Sequence, residues 1–429
     1  MTEETQGFET RAIHAGTAPD PTTGARATPI YQTTSFVFDD VEDAAALFSL
    51  QKVGFIYSRL TNPTVSALEA KLADLEGGVG ATCTASGHSA QMLALFPLMQ
   101  PGDEVVAARK LYGGTLNQFA NSFPRAFGWK VIFVDGDDPE NFRKAITPRT
   151  KALFIESLAN PGGVVSDIRA IADVADAAGI PLIVDNTMAT PYLCRPIEHG
   201  ATLVVHSTTK FLAGHGNSVG GVVIDSGRFD WKASGKFPAL TEPEPGYHGM
   251  VFTDAFGPLA FTIHGHAIGL RDLGPSMAPL NAFLTITGVE TLALRMERHC
   301  ANAKAVAEFL TGHPAVAWVN YAGLPDSPYH ALAGRYLPKG AGAVFTFGVK
   351  GGHEAGVRLV QSVKLFSHLA NIGDTRSLII HPASTTHSQL TPEGLAAAGA
   401  SPDVIRLSVG LESIGDIIAD LDRALGSVG

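Results

Sequence analysis

Two short apolar runs, each ending in a residue with chemistry to offer, constrain this chain most. Leu203-Val204-Val205 leads through His206 into Ser207-Thr208-Thr209-Lys210, and Ile180-Pro181-Leu182-Ile183-Val184 leads into Asp185-Asn186-Thr187. An apolar run rich in β-branched residues with a polar end reads as a buried strand that delivers its next residues to a sheet edge. If both strands lie in one parallel sheet, Lys210 and Asp185 meet at its carboxyl edge, the usual ligand site of open α/β sheets. An amine able to form a Schiff base, beside a carboxylate that can hold a pyridinium nitrogen, is the minimal equipment for pyridoxal phosphate. Taken singly, each residue also has an ordinary reading, Lys210 as an exposed lysine and Asp185 as a helix cap.

The surrounding pattern supplies the sheet. Strands are expected over 104–108, 130–135, 152–156 and 220–224, with helices over 65–76, 91–99 and 168–178. Such alternation predicts a mostly parallel sheet covered by helices on both faces. Residues 227–257 form a long segment rich in Gly, Pro and aromatics, and a loop of that length inside a compact domain is usually functional. A helical stretch over 282–310 is expected to bridge into a second domain with strands over 343–347 and 404–409. Residues 1–65 are interrupted by Pro19, Pro21, Gly24 and Pro29, so they read as an arm without a core of its own. The expected organisation is an arm over 1–65, a cofactor-binding large domain over 66–295 with an insert at about 227–257, and a C-terminal domain over 296–429.

Composition narrows the class. With 429 residues, 45% hydrophobic and 17% charged, the chain can build a large core. A net charge of -10 without a basic block or stacking aromatics argues against nucleic acid as a partner. No apolar run approaches membrane-spanning length, and the acidic, polar start is the opposite of a signal peptide, so a soluble cytoplasmic protein with no membrane partner is expected. Cys83, Cys194 and Cys300 are scattered and odd in number, which suits a reducing compartment and disfavours a disulfide framework. The pairs His206 and His215, His264 and His266, and His381 and His387 lack zinc-ligand spacing, and no metal is expected.

Two stretches gain meaning only in company. Ser86-Gly87-His88 precedes a helix, and a small-residue turn there offers N–H groups and the positive dipole end to a phosphate, although the same turn is as often structural. Tyr112 sits on a glycine-bounded loop, its ring either over a flat cofactor or against the loop itself.

These stretches stand in order with Tyr57-Ser58-Arg59, Asn62-Pro63-Thr64, Glu156 with Asn160-Pro161, Asp185-Asn186-Thr187, Ser207-Thr208-Thr209-Lys210, His381 through His387, and Arg406-Leu407-Ser408-Val409-Gly410. Over nearly its full length the chain resembles the Cys/Met-metabolism family of pyridoxal-phosphate enzymes, of the aspartate aminotransferase fold (fold type I). The resemblance implies an α/β protein with a mostly parallel seven-stranded sheet in a large domain and a smaller C-terminal α/β domain. It implies that Lys210 forms the Schiff base, Asp185 pairs with the pyridine nitrogen, Tyr112 stacks on the ring and Asn160 contacts the ring hydroxyl. Gly87, His88, Ser207 and Thr209 would bind the phosphate, joined by Tyr57 and Arg59 from a neighbouring subunit, with Ser86 and Thr187 completing the cofactor set. Arg406, with Asn371, would hold the substrate carboxylate. His88 departs from the glutamine or methionine more usual in relatives, and a contact through backbone N–H is little affected by that change.

Within the family, the insert from Arg228 to Gly249 and the run Asn371-Ile372-Gly373-Asp374-Thr375-Arg376-Ser377-Leu378 resemble the O-acetylhomoserine sulfhydrylase branch. That branch implies γ-replacement of acetate by sulfide on O-acetyl-L-homoserine, in a homo-oligomer expected to be a tetramer of dimers with shared active sites. Two alternatives stay open: a cystathionine γ-synthase or γ-lyase, and a non-enzymatic protein that keeps the fold for binding. The presence of both Lys210 and Arg406 disfavours the second.

Overall fold

The computed structural model describes residues 6–161, 163–385, 399 and 401–427. Thr386 and His387, the end of the His381 motif, lie outside the described residues, as do Gly162 and residues 1–5.

Nine strands come first: β1 (Gly80–Thr84), β2 (Glu104–Ala108), β3 (Lys130–Val134), β4 (Thr150–Glu156), β5 (Leu158–Ala159), β6 (Val164–Val165), β7 (Leu182–Asp185), β8 (Leu203–His206) and β9 (Gly221–Asp225). Seven form one sheet in the order β1-β9-β8-β7-β4-β2-β3, while β5 and β6 make a separate ribbon. The pairs β2–β3, β2–β4, β4–β7 and β7–β8 are parallel, and β9 runs antiparallel to both β8 and β1. The mostly parallel seven-stranded sheet is thus as expected. Register sets Glu156 opposite Asp185 and Asp185 opposite Val205, so β4, β7 and β8 end at one edge. The strand reading did not extend to β1, whose Ala81-Thr82-Cys83-Thr84 is too small and too polar to read as one; packing makes the strand, since all four are buried.

Helix Pro63–Glu76 starts two residues before the expected position. The Asn62 side chain accepts from the Thr64 N–H at 3.0 Å, Pro63 takes the first helical position, and Gly77 ends the helix at φ 81. Its Leu68, Leu72 and Leu75 are buried, each contributing about 1.5–3 kcal/mol of apolar burial. Helix Gly87–Leu95 likewise begins earlier than expected, where Ser86 Oγ accepts from the Ser89 N–H at 3.2 Å.

The expected helix over 282–310 is two, Pro279–Glu290 and Leu292–Gly312. The break has a local cause. The Gly288 carbonyl accepts from Arg295 Nη2 at 2.6 Å and from Thr291 Oγ1 at 3.3 Å, so side chains satisfy it where the helix stops. Beyond lie β10 (Val316–Asn320), β11 (Val344–Val349), β12 (Ser367–His368), β13 (Leu378–Ile380) and β14 (Val404–Ser408), a second sheet ordered β10-β11-β14-β13-β12. All its pairs are antiparallel except β12–β13.

Residues 227–257 are folded as short helices, including Trp231–Ser234, Pro238–Thr241 and Phe252–Phe256. Their aromatics pack on one another and on the large sheet's cover, Trp231 lying 5.2 Å from Phe237 and 5.7 Å from Phe261 between ring centroids. In the arm, helix Phe8–His14 docks on its own chain. The buried Lys71 amine, lowered to about 8 by desolvation, donates to the carbonyls of Ala12 at 2.7 Å and Ile13 at 3.0 Å, a cation at a helix C-terminus. After this anchor the arm bares its apolar side chains: Val37 is 98% exposed, Val53 99% and Phe48 60%.

Candidate active site

The carboxyl edge of the large sheet and the Arg406 strand of the small sheet enclose a cavity of about 270 Å³. Lys210 enters it four residues after β8, and its Nζ donates to Asn371 Oδ1 at 2.6 Å. Burial first, and the Arg406 guanidinium second, lower the amine to about 8. Asp185, the last residue of β7, accepts from the Thr187 N–H at 2.9 Å and from Gln91 Nε2 at 3.2 Å. Arg406 donates to Asn160 Oδ1 at 3.3 Å and to the Asn371 carbonyl at 3.1 Å. It forms no ion pair among the described residues, and burial lowers it to about 10. A guanidinium held by neutral acceptors inside a cavity is a ready anion site.

The start of helix Gly87–Leu95 also lines the cavity. Ser86, Gly87 and His88 line the cavity with Ser207 and Thr209. Gly87 is required by space, since a Cβ there would sit 2.7 Å from Ser207 Cβ. The Ser207 N–H donates to Thr187 Oγ1 at 2.8 Å, and Thr209 Oγ1 both accepts from the Gly220 N–H at 3.0 Å and donates to its carbonyl at 3.2 Å. The Tyr112 ring is 5.9 Å from that of His88 at an interplanar angle of 29° and is only partly covered. Burial lowers the His88 imidazole, with Asp185 opposing and Lys210 adding to the effect.

The structure therefore brings together Ser86, Gly87, His88, Tyr112, Asn160, Asp185, Thr187, Ser207, Thr209, Lys210, Asn371 and Arg406. Tyr57 and Arg59 are not among the lining residues of their own chain's cavity. Arg59 donates to the Arg271 carbonyl at 2.6 Å and lies 5.5 Å from the Tyr57 ring centre. The 227–257 segment contributes no lining residue either.

Three contributors escaped the sequence reading as site residues. Gln91, buried, bridges Asp185 and Thr115 Oγ1, the latter at 3.0 Å. Its position one turn after Gly87 on the same helix face is the signal that could have found it. Glu156, quoted only as part of a motif, accepts the N–H groups of Tyr112 at 2.7 Å and Asn160 at 3.0 Å, clasping two cavity loops. Burial and then Asp185 push its carboxyl up. Arg295 holds the loop behind Lys210 through the carbonyls of Phe211 at 2.7 Å and Leu212 at 3.3 Å. The 371–377 run lies against the same loop: Gly373 has φ 73, and a Cβ there would come within 2.6 Å of the Phe211 nitrogen.

The sequence pattern of the family described as Cys/Met metabolism PLP-dependent enzyme matches residues 9–426. The chain is 52% identical to an O-acetyl-L-homoserine sulfhydrylase of Leptospira meyeri, covering 98% of this chain and 97% of the relative. It is 51% identical to O-acetyl-L-homoserine sulfhydrylase 1 of Thermus thermophilus, over 97% of this chain and 99% of that one. A homocysteine synthase of Schizosaccharomyces pombe is 50% identical over 99% of both chains. A crystal structure from Campylobacter jejuni that contains N'-pyridoxyl-lysine-5'-monophosphate superposes with a TM-score of 0.94 at 42% identity, over 98% of this chain and 100% of that one.

Proposed function

Because the chain belongs to the Cys/Met-metabolism family of pyridoxal-phosphate-dependent enzymes, we propose that it catalyses γ-replacement on O-acetyl-L-homoserine, sulfide displacing acetate to give L-homocysteine. What carries the reading is one cavity that holds an amine, a carboxyl and a guanidinium with no ion pair among the described residues, in a chain about half identical to relatives named for this chemistry.

The residues present fit the cofactor. The donor set offers Lys210 for the aldehyde, Asp185 for the ring nitrogen, and a tight glycine turn with Ser207 and Thr209 for the phosphate. Pyridoxal phosphate, when bound, supplies the electron sink that makes the α and β protons of an amino acid removable. Tyr112 would lie over the ring and Asn160 would meet its hydroxyl, with Ser86, Gly87, His88 and Thr187 completing the pocket. Arg406 binds the substrate carboxylate, with the Asn371 region beside it, and so orients the amino acid. Lys210, whose amine burial and Arg406 lower to about 8, takes and returns the proton at carbon. Acetate leaves with the electron pair of its C–O bond, and sulfide forms the new C–S bond.

Residues 66–295 would act as the cofactor-holding domain and 296–429 as the domain that brings Arg406. The bared apolar side chains of the arm support a homo-oligomer in which Tyr57 and Arg59 complete a neighbour's phosphate site, a dimer at least and a tetramer of two such dimers by family likeness. No helix among the described residues is long and apolar enough to cross a membrane; the three free cysteines support a place in the cytoplasm.

The test is a product assay. The loaded enzyme given O-acetyl-L-homoserine and sulfide should release homocysteine and acetate in equal amounts. Cystathionine formed from cysteine at a comparable rate, or ammonia released without a sulfur nucleophile, would contradict the reading.

A further inference from the structure

Outside the cavity, four buried polar side chains close into one network. Glu76, the last residue of helix Pro63–Glu76, and Asn186 are fully buried, and His206 and Ser157 are nearly so. Glu76 Oε1 accepts from Asn186 Nδ2 at 2.8 Å and pairs with His206 Nε2 at 2.6 Å. Asn186 Nδ2 also donates to the Cys194 carbonyl at 2.8 Å, and Asn186 Oδ1 accepts from Ser157 Oγ at 2.7 Å. None of the four lines the cavity. Three of them are chain neighbours of residues that do: Ser157 follows Glu156 at the end of β4, Asn186 follows Asp185 at the end of β7, and His206 precedes Ser207 at the end of β8.

Two strand ends, β7 and β8, are thus tied to one oxygen supplied by a helix, and Ser157 ties the end of β4 to Asn186. Asp185 closes the ladder of β7, and Ser207 leaves β8 with its N–H on Thr187 Oγ1 at 2.8 Å, so the direction of each also depends on what holds the side chain beside it. Backbone bonds join neighbours in pairs, Ser157 N–H to the Asp185 carbonyl at 3.0 Å and Asn186 N–H to the Val205 carbonyl at 2.9 Å. The Glu76 carboxylate instead grips β7 and β8 together from the side. Donors buried this deeply must keep their acceptor, because losing it costs the full desolvation of each.

We propose that Glu76 is a positioning residue for the cofactor site: by accepting from Asn186 and His206 at one oxygen, it fixes the spacing between the strand end that presents Asp185 and the one that presents Ser207 and Lys210. The inference rests on the reading that these residues hold pyridoxal phosphate. Glu76 Oε2 has no partner among the described residues, so glutamine can keep Oε1 as acceptor and place its amide nitrogen at the unpaired position. Leucine fills similar space and accepts nothing.

The test titrates pyridoxal phosphate into cofactor-free protein by absorbance and measures the urea midpoint of the same samples. Glu76→Leu should weaken cofactor binding about tenfold or more, and Glu76→Gln should stay within about twofold. Leu68→Ala, a core change in the same helix, should lower the urea midpoint without moving the binding constant. Asp185→Ala should weaken binding as well. If Asp185→Ala leaves binding unchanged, the cofactor-site reading fails and this inference falls with it. If Asp185→Ala weakens binding but Glu76→Leu does not, the inference alone is overturned. It is overturned equally if Leu68→Ala matches Glu76→Leu at equal loss of stability, or if Glu76→Gln binds as poorly as Glu76→Leu. Should Glu76→Leu not fold, His206→Phe, which removes one of the two donors to the Glu76 oxygen, should weaken binding about fivefold, the worth of one net hydrogen bond, and an unchanged constant there refutes the network.

Discussion

Replacing Lys210 with methionine should stabilise the cofactor-free protein while removing its activity. The folded chain holds the Lys210 amine at about 8, through burial and then through Arg406, whereas an unfolded lysine titrates at about 10.4. At pH 7 both states carry the charge, and the folded state bears the cost of its unfavourable surroundings, about 3 kcal/mol for that gap. Methionine removes this cost and forfeits the 2.6 Å bond to Asn371, about 1 kcal/mol, for a net gain of about 2 kcal/mol. Between pH 8 and 10.4 the unfolded chain still binds the proton that the folded chain has released, so wild-type stability rises with pH there. The advantage of Lys210→Met is therefore constant below about pH 8 and shrinks to about zero near pH 9.5. Urea unfolding of both cofactor-free proteins, at one protein concentration and at pH 7 and 9.5, measures it. A variant less stable than wild type at pH 7, or an advantage equally large at pH 9.5, refutes the reasoning.

Asp185→Ala should fold yet lose about 10²–10³ in turnover, the usual scale for removing a preorganised electrostatic partner; near-normal turnover would take Asp185 out of the site. Arg406→Lys keeps the charge but loses the fork, and should raise the KM for O-acetyl-L-homoserine about 10- to 100-fold with cofactor affinity unchanged. An unaltered KM would mean the substrate carboxylate binds elsewhere. Mixing Arg59→Ala and Lys210→Ala chains, each nearly inactive alone, should restore activity, because a mixed dimer has one site with Lys210 from one chain and Arg59 from the other. Mixed dimers that form, as judged by tagged co-purification, yet stay inactive would place Arg59 outside any shared site.

The residues at strand ends are the legible part of this site. Lys210 and Asp185 each follow an apolar run whose β-branched residues leave little choice of element, and the edge where such strands end is set by topology. Gln91, Glu156 and Arg295 are harder to read because their partners are backbone groups or side chains far along the chain: Gln91 meets Asp185 and Arg295 meets Phe211. Nothing local marks such pairings. Elements misjudged in extent turned instead on local side-chain bonds. The start of helix Pro63–Glu76 depends on its Asn62 cap, and the break at Thr291 depends on an arginine that takes the Gly288 carbonyl. The aromatics of 227–257 suggested a functional loop; among them Phe229, Trp231 and Phe237 pack on one another and Trp231 on Phe261.

The claim beneath all of this is that the strand-end amine is the one that carries the cofactor. Borohydride reduction of the loaded enzyme, followed by proteolysis and mass spectrometry, tests it without reference to turnover. The account predicts a pyridoxyl phosphate group on the peptide containing Lys210, and its loss in Lys210→Ala. Labelling of another lysine in the wild-type protein, with Lys210 unmodified, would contradict it.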